Sequence, residues 1–283
     1  MSYEKYSPSG FGFLPPVVKN ILIINVLLYL ATFVVGMTFN RDLTDILGLH
    51  YFASQKFAPY QFITYMFMHD PSGIGHIFFN MFAVWMFGSV LEQVWGPRKF
   101  LIFYIVTGIG AALVHYLVFY YEISPFLALF DNFIAKPDLA SLRLVIEANP
   151  GIIQHNEDFR NMYSALLVNP ADVNAMQSAL NFISEYREMF LNQPVVIGAS
   201  GAVYGLLLAF GMLFPNSIIY VYFLIPMKAK WFVVIFGLIE LGLGFFSDGN
   251  VAHFAHLGGM LFGFFLIVYW KKKADRNRFN QWQ

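Results

Sequence analysis

The sequence predicts an all-α polytopic membrane protein, and three observations carry that prediction. The 283 residues are 58% hydrophobic and only 12% charged, whereas soluble domains run at about 45–50% apolar and about 25% charged. Mean hydropathy is +0.58. The apolar residues are also unevenly spread, falling into stretches near the roughly 20 residues that a helix needs to cross a hydrocarbon core.

Six spans can be read in order: 21–39, 74–94, 100–121, 195–214, 231–246 and 251–270. The fifth is the shortest. The segment before the first span, MSYEKYSPSGFGFLPP, lacks the charged-then-apolar build of a cleaved signal peptide, so the first span is expected to act as the insertion signal and to remain. Between spans three and four lies a polar stretch, 122–194, with Asn-Pro at 149–150 and 169–170. Its apolar residues recur at helical spacing over 139–147 and 173–190, which predicts a small helical insertion outside the membrane. The organisation expected is therefore a tail with three helices (1–121), the insertion (122–194), three more helices (195–270) and a basic tail (271–283).

Orientation follows from the basic residues. Lys5, Lys19, Arg98, Lys99, Lys228, Lys230, Lys271, Lys272, Lys273, Arg276 and Arg278 all fall in the termini and the even-numbered connections. Both termini are expected in the cytoplasm, with the insertion facing outward. Lys+Arg and Asp+Glu each total 17, a balance that suggests no polyanionic partner and no nucleic acid. The absence of cysteine excludes disulfides, thiol catalysis and thiolate metal sites.

Polar side chains inside a span are costly, so each is a functional candidate. Spans two, four and six all run from outside inward. At roughly 1.5 Å per residue, His76, Asn80, Ser200 and His256 all lie within about 9 Å of the outer boundary. The neighbouring glycines favour close packing there. Gly201/Gly205 and Gly259/Gly263 are spaced four apart, and small residues at that spacing let membrane helices meet backbone to backbone. Ser200 can be a nucleophile if an imidazole takes its proton. His76 and Asn80, four apart on one helix face, can donate with the Ser200 backbone N–H to a developing oxyanion. The alternative is ordinary helix packing, with Ser200 bonded to a carbonyl of its own helix.

Three motifs then carry a resemblance: Gly198-Ala199-Ser200-Gly201; Ala255-His256-Leu257-Gly258-Gly259 with Gly263; and His76-Ile77-Phe78-Phe79-Asn80. On spans four, six and two respectively, they resemble the GxSG, AHxxGxxxG and HxxxN motifs of rhomboid intramembrane serine proteases, over about 60–214 and 220–270. The resemblance implies a six-helix rhomboid fold with a helical extracytoplasmic insertion. It implies Ser200 as nucleophile and His256 as general base in a dyad without a catalytic acid. It also implies oxyanion stabilisation by His76 and Asn80, a Tyr204 ring stacked on His256, supporting roles for Gly198, Gly201 and Gly259, and a structural hydrogen-bonding role for Glu92. Substrates would be single-span membrane proteins cut near the outer face, passing 231–246 and about 40–73, with no cofactor and no metal.

Two departures stand out. Where many rhomboids carry Trp-Arg in the first outer loop, this chain reads Tyr60-Gln61-Phe62-Ile63-Thr64. The insertion also replaces a short turn, and restricting substrate access or merely capping the fold are the two roles open to it.

Other polar residues are weighed at the same level. Glu240 can orient His256 as a third member, but the resemblance argues for an interhelical hydrogen-bonding role. His253 reads as a water-contacting neighbour, His69 as a solvated loop histidine, and His115 as a further polar residue of span three. A zinc site from His69, His76, His253 and His256 with Asp70 or Asp248 lacks the HExxH pattern. A silent client-binding relative of the proteases is the alternative function. A transporter is disfavoured because the polar cluster does not continue inward. The short tails point to a bacterial plasma membrane.

Overall fold

The computed structural model describes residues 14–193, 195–221, 224–246 and 250–280. Its principal helices are α1 (Pro16–Phe39), α2 (Ile74–Trp95), α3 (Pro97–Ala135), α4 (Leu139–Ala148), α5 (Gly151–Gln154), α6 (Glu157–Val168), α7 (Val173–Asn192), α8 (Ser200–Leu213), α9 (Ala229–Phe246) and α10 (Asn250–Asn280). Five of them (α1, α2, α3, α9 and a 25-residue stretch of α10) are long and apolar enough to cross a membrane. The fold is all-α and polytopic. The fifth expected span, 231–246, lies wholly within α9. The fourth is the short one: α8 has 14 residues, about 21 Å, because Val195–Val196 is extended and the helix begins only at Ser200.

The chain divides into two compact units. The larger takes residues up to Leu49, Pro59–His115 and those from Val196 onward. Here α1 opens at Pro16, whose fixed φ suits a first turn, and the buried Glu92 of α2 accepts the N–H groups of Val17 and Val18 at 2.9 and 2.8 Å. A carboxylate is thus spent on the donors that a helix start leaves unpaired. Most of α1 is exposed, and its buried Asn25 and Thr32 donate to their own helix, at Ile21 and Leu28, which lets polar side chains persist in an apolar setting.

A π-turn over Val84–Gly88 interrupts α2. In an unbroken helix Asn80 and Glu92, twelve apart, would face directions about 120° apart. One extra residue in the turn removes about 100° of that difference. Both side chains are consequently buried on the same side of α2.

Glycine sets the packing of α8 on α10. A Cβ on Gly259 would stand 1.9 Å from the Gly201 carbonyl oxygen, and one on Gly263 would be 3.5 Å from Gly205 Cα. Helix α3 closes the third side, since a Cβ on Gly201 would be 2.4 Å from Ala111 Cβ and one on Gly205 2.7 Å from Thr107. Between α8 and α9 an antiparallel hairpin, β1 (Ile218–Val221) and β2 (Ile225–Lys228), pairs Ile218 with Lys228 and Val221 with Ile225. The hydropathy pattern did not foretell it; the β-branched residues Ile218, Ile219, Val221 and Ile225 suit a pleated pair. Lys99 lies 4.3 Å over the Trp270 ring, which also meets Trp95, the kind of aromatic–basic grouping that suits a membrane interface.

The first loop keeps its anchorage without the Trp-Arg pair. Tyr60 and Gln61 donate to the Ile46 carbonyl, and Thr64 donates to that of Leu47 at 2.6 Å.

The smaller unit is His50–Ala58 with Tyr116–Val195, so it begins before the expected boundary at 122 and takes in part of the first loop. Its core is Phe130, Phe133, Leu142, Val145, Phe159, Leu166 and Ile183 with neighbours. Three helix starts are capped by side chains: Asp138 accepts from Ser141 N, Asn156 from Phe159 N, and Asp172 from Asn174 N and Ala175 N. Each such cap contributes about 1 kcal/mol. The helices read at 139–147 and 173–190 are α4 and α7. The loop segment is tied to α7 by Ser54 with Asn192 at 2.6 Å and Gln55 with Glu188 at 2.9 Å.

Candidate active site

Ser200 is the first residue of α8 and not, as the span reading placed it, a residue inside a membrane helix. The N–H groups of Ser200, Gly201 and Ala202 precede the first intrahelical bond, Val203 to Ala199, so they have no acceptor within the helix. The turn before it needs glycine. Gly198 has φ +122°, and a Cβ there would lie 3.1 Å from His76 Cε1 and 3.8 Å from Ser200 Oγ. Its N–H donates to the Tyr65 carbonyl at 2.9 Å, and the Tyr65 hydroxyl donates to Gly108 of α3 at 2.7 Å. The first loop thereby holds the serine turn against the bundle.

His256 of α10 approaches from the other side, with Nε2 2.9 Å from Ser200 Oγ. Its ring is stacked on Tyr204, 4.3 Å between centroids and 10° between planes. Its Nδ1 lies 2.9 Å from Glu240 Oε2. The same carboxylate oxygen is 2.7 Å from His253 Nδ1, and the Tyr204 hydroxyl donates to Oε1. Glu240 is buried on α9. It can reach both histidines because they are three apart on one face of α10, and because α9 packs closely there: a Cβ on Gly244 would be 3.2 Å from the Phe254 ring.

Glu240 has the interhelical hydrogen-bonding role expected of it, and one of the atoms it bonds is His256 Nδ1, the position that a triad carboxylate takes. His253 is a direct partner of that carboxylate and not merely a water-contacting neighbour. The sequence showed Glu240 as a polar residue in an apolar span; its partner depended on the rotation of α9.

The oxyanion candidates are differently disposed. The His76 ring stands beside Gly198 and Ser200. The Asn80 amide, in contrast, gives one of its two N–H donors to the carbonyl of His76 in its own helix at 2.9 Å, which leaves the other for a substrate.

His69 is not a solvated loop residue: it is 0% exposed, with its ring 5.2 Å from that of His76. Burial and then the neighbouring His76 hold its pKa down at about 4, against the opposing pull of the Phe67 backbone, so the ring is neutral at pH 7. Of the four histidines weighed as a metal set, the His69 ring neighbours that of His76 at 5.2 Å and the His253 ring that of His256 at 6.3 Å between centroids; Asp248 lies outside the described residues. His115 is half-buried on α3.

These features define a polytopic integral membrane protein with a hydroxyl, an imidazole and a carboxylate linked in sequence between its helices. The family follows from comparison: the chain matches the Rhomboid domain over residues 56–125 and 166–273, more than half its length. The protein belongs to the rhomboid family. The matched stretches omit 126–165, which falls within the insertion expected between spans three and four. A search of curated proteins finds no match.

Proposed function

We propose that the protein is an intramembrane serine endopeptidase in which Ser200 is the nucleophile, His256 the general base and Glu240 the group that orients it. The observation that supports this most directly is the 2.9 Å contact between His256 Nε2 and Ser200 Oγ, with Glu240 on the far nitrogen. With Nδ1–H donated to Glu240, Nε2 keeps a lone pair for the Ser200 proton.

Oγ then attacks the scissile carbonyl while Nε2 takes its proton. The negative charge that forms on the carbonyl oxygen meets the Ser200 N–H at the start of α8, the His76 ring, and the second N–H of the Asn80 amide. Donors fixed in advance at that point are each worth roughly 10²–10³ in rate. Imidazolium His256 returns its proton to the leaving amine, the acyl-enzyme forms, and water drawn by the same base releases it. Tyr204 keeps the ring in plane through both steps, by stacking on His256 and by bonding Glu240.

The substrates fitting this setting are single-span membrane proteins, cut near the outer face. Both termini lie in the cytoplasm, as the distribution of basic residues suggests. The test is labelling of the detergent-solubilised protein by a fluorophosphonate probe. Wild type is expected to label, and Ser200→Ala and His256→Ala are not. Folded wild type that neither labels nor cleaves a single-span substrate overturns the enzyme reading; client capture by both wild type and Ser200→Ala would then favour a silent binding protein.

A further inference from the structure

We propose that Glu240, His253 and His256 form a zinc-binding site, and that zinc bound there switches the catalytic base off. One ligand atom of each residue lies within 4.8 Å of the other two. Two imidazoles and one carboxylate are the donor set of many zinc centres that keep a fourth position open. A tetrahedral ion with bonds of about 2.0–2.2 Å needs ligand atoms about 3.3 Å apart. The present contacts of 2.7 and 2.9 Å to Glu240 Oε2 therefore have to open by only about half an ångström, within the reach of side-chain rotation.

The surroundings favour that occupancy. The Tyr204 hydroxyl on Oε1 fixes the carboxylate with Oε2 turned to both histidines, which is how outer-shell hydrogen bonds commonly hold a metal ligand in position. The side chains of His253 and His256 remain 23% and 19% exposed, so an ion can reach the site and a water can fill the fourth position. Glu240 belongs to α9 and the histidines to α10; no single-helix spacing announced the set.

The consequence is chemical. Zinc on His256 Nδ1 takes that lone pair, and the ring proton moves to Nε2. Nε2 then donates to Ser200 Oγ and can no longer accept from it. The ion is an inhibitor competing with the Nδ1 protons, not a cofactor. The inhibition rests on the catalytic reading above; the binding does not.

The test uses the full-length protein without a histidine tag. Zn²⁺ is titrated calorimetrically into wild type, Ser200→Ala, His253→Gln and, as a surface control, His155→Gln. One equivalent is expected in wild type, Ser200→Ala and His155→Gln alike, with at least tenfold weaker binding in His253→Gln. Unchanged apo melting temperature shows that His253→Gln is folded, and the visible absorption of Co²⁺ in Ser200→Ala reports the four-coordinate geometry directly.

Activity with and without Zn²⁺ is compared within each variant. Wild type should lose activity reversibly on zinc addition and regain it with chelator, and His253→Gln should need at least tenfold more zinc for the same fractional loss. No binding by wild type, or equal binding by His253→Gln, overturns the site. Binding without inhibition of an active enzyme overturns the switch. Binding to a protein that never hydrolyses peptide overturns the catalytic reading and the switch but leaves the site standing.

Discussion

Replacing Glu240 by Gln isolates the charge on the base-orienting carboxylate while keeping its shape. The amide oxygen can still accept from His256 Nδ1, and the amide nitrogen can face the Tyr204 oxygen, so the tautomer that leaves Nε2 free survives. What is lost is the attraction between the imidazolium of the transition state and a carboxylate whose oxygen is 2.9 Å from Nδ1. At a charge separation of about 4 Å and an effective dielectric of about 20, that attraction is about 4 kcal/mol. The amide dipole retains part of it, leaving a deficit of roughly 2–3 kcal/mol, which is about 30–150-fold in kcat. Because the charge develops only in the transition state, KM should change little. The assay is cleavage of a single-span reporter in detergent or proteoliposomes, with fluorophosphonate labelling rates measured in parallel. A Glu240→Gln enzyme within threefold of wild type in kcat would refute the claim that Glu240 acts through His256 and return it to a structural role.

The remaining predictions concern packing and stability. Gly259→Ala places a methyl 1.9 Å from the Gly201 carbonyl oxygen; α8 and α10 must separate, and activity should fall by more than about 100-fold, since misplacement of about 1 Å costs that much, while Gly242→Ala, with nothing within 4 Å of its Cβ, should be silent in the same cleavage assay. Glu92→Ala strips the acceptor from Val17 and Val18 N–H and should cost about 2–4 kcal/mol, read as a lowered melting temperature. His69 has a folded pKa of about 4 against an ordinary 6.5, so the unfolded chain binds the extra proton. Its contribution to stability is complete above pH 6.5 and is lost as pH falls from there towards 4, by about 2 kcal/mol at pH 5. His69→Gln should flatten that part of the stability–pH curve, and an unchanged curve would contradict the burial seen here.

Much of the fold was legible because lipid forces local answers. A helix in hydrocarbon satisfies its own backbone, so an apolar run of sufficient length declares the element; α1, α2, α3, α9 and α10 follow directly. The insertion was legible for a second local reason, a polar stretch with Asn-Pro breaks and helical apolar spacing over 139–147 and 173–190; the caps that start its helices, such as Asp138 and Asp172, came from the structure. The start of α8 was not, because Val195, Val196 and Ile197 are as apolar as the helix they precede. Hydropathy records burial in an apolar medium and not the backbone conformation that produces it. The π-turn in α2 left no local mark either, and it is what turns Asn80 and Glu92 to the same side.

The sequence by itself determined the class of protein and the number of apolar runs, and it singled out Ser200, His256 and His76 as candidates, since each stands out as a polar group in an apolar segment or beside a small-residue face; Tyr204 came only through the family resemblance. Only the tertiary structure decided which of them meet. Glu240 on His256 and His253, Asn80 turned back to its own helix, and His69 buried against His76 all depend on rotations of helices about their axes and on loop paths. Those rotations are chosen by contacts such as Gly259 on Gly201 and Gly244 on Phe254, which join residues far apart in the chain and leave no periodic trace within either segment.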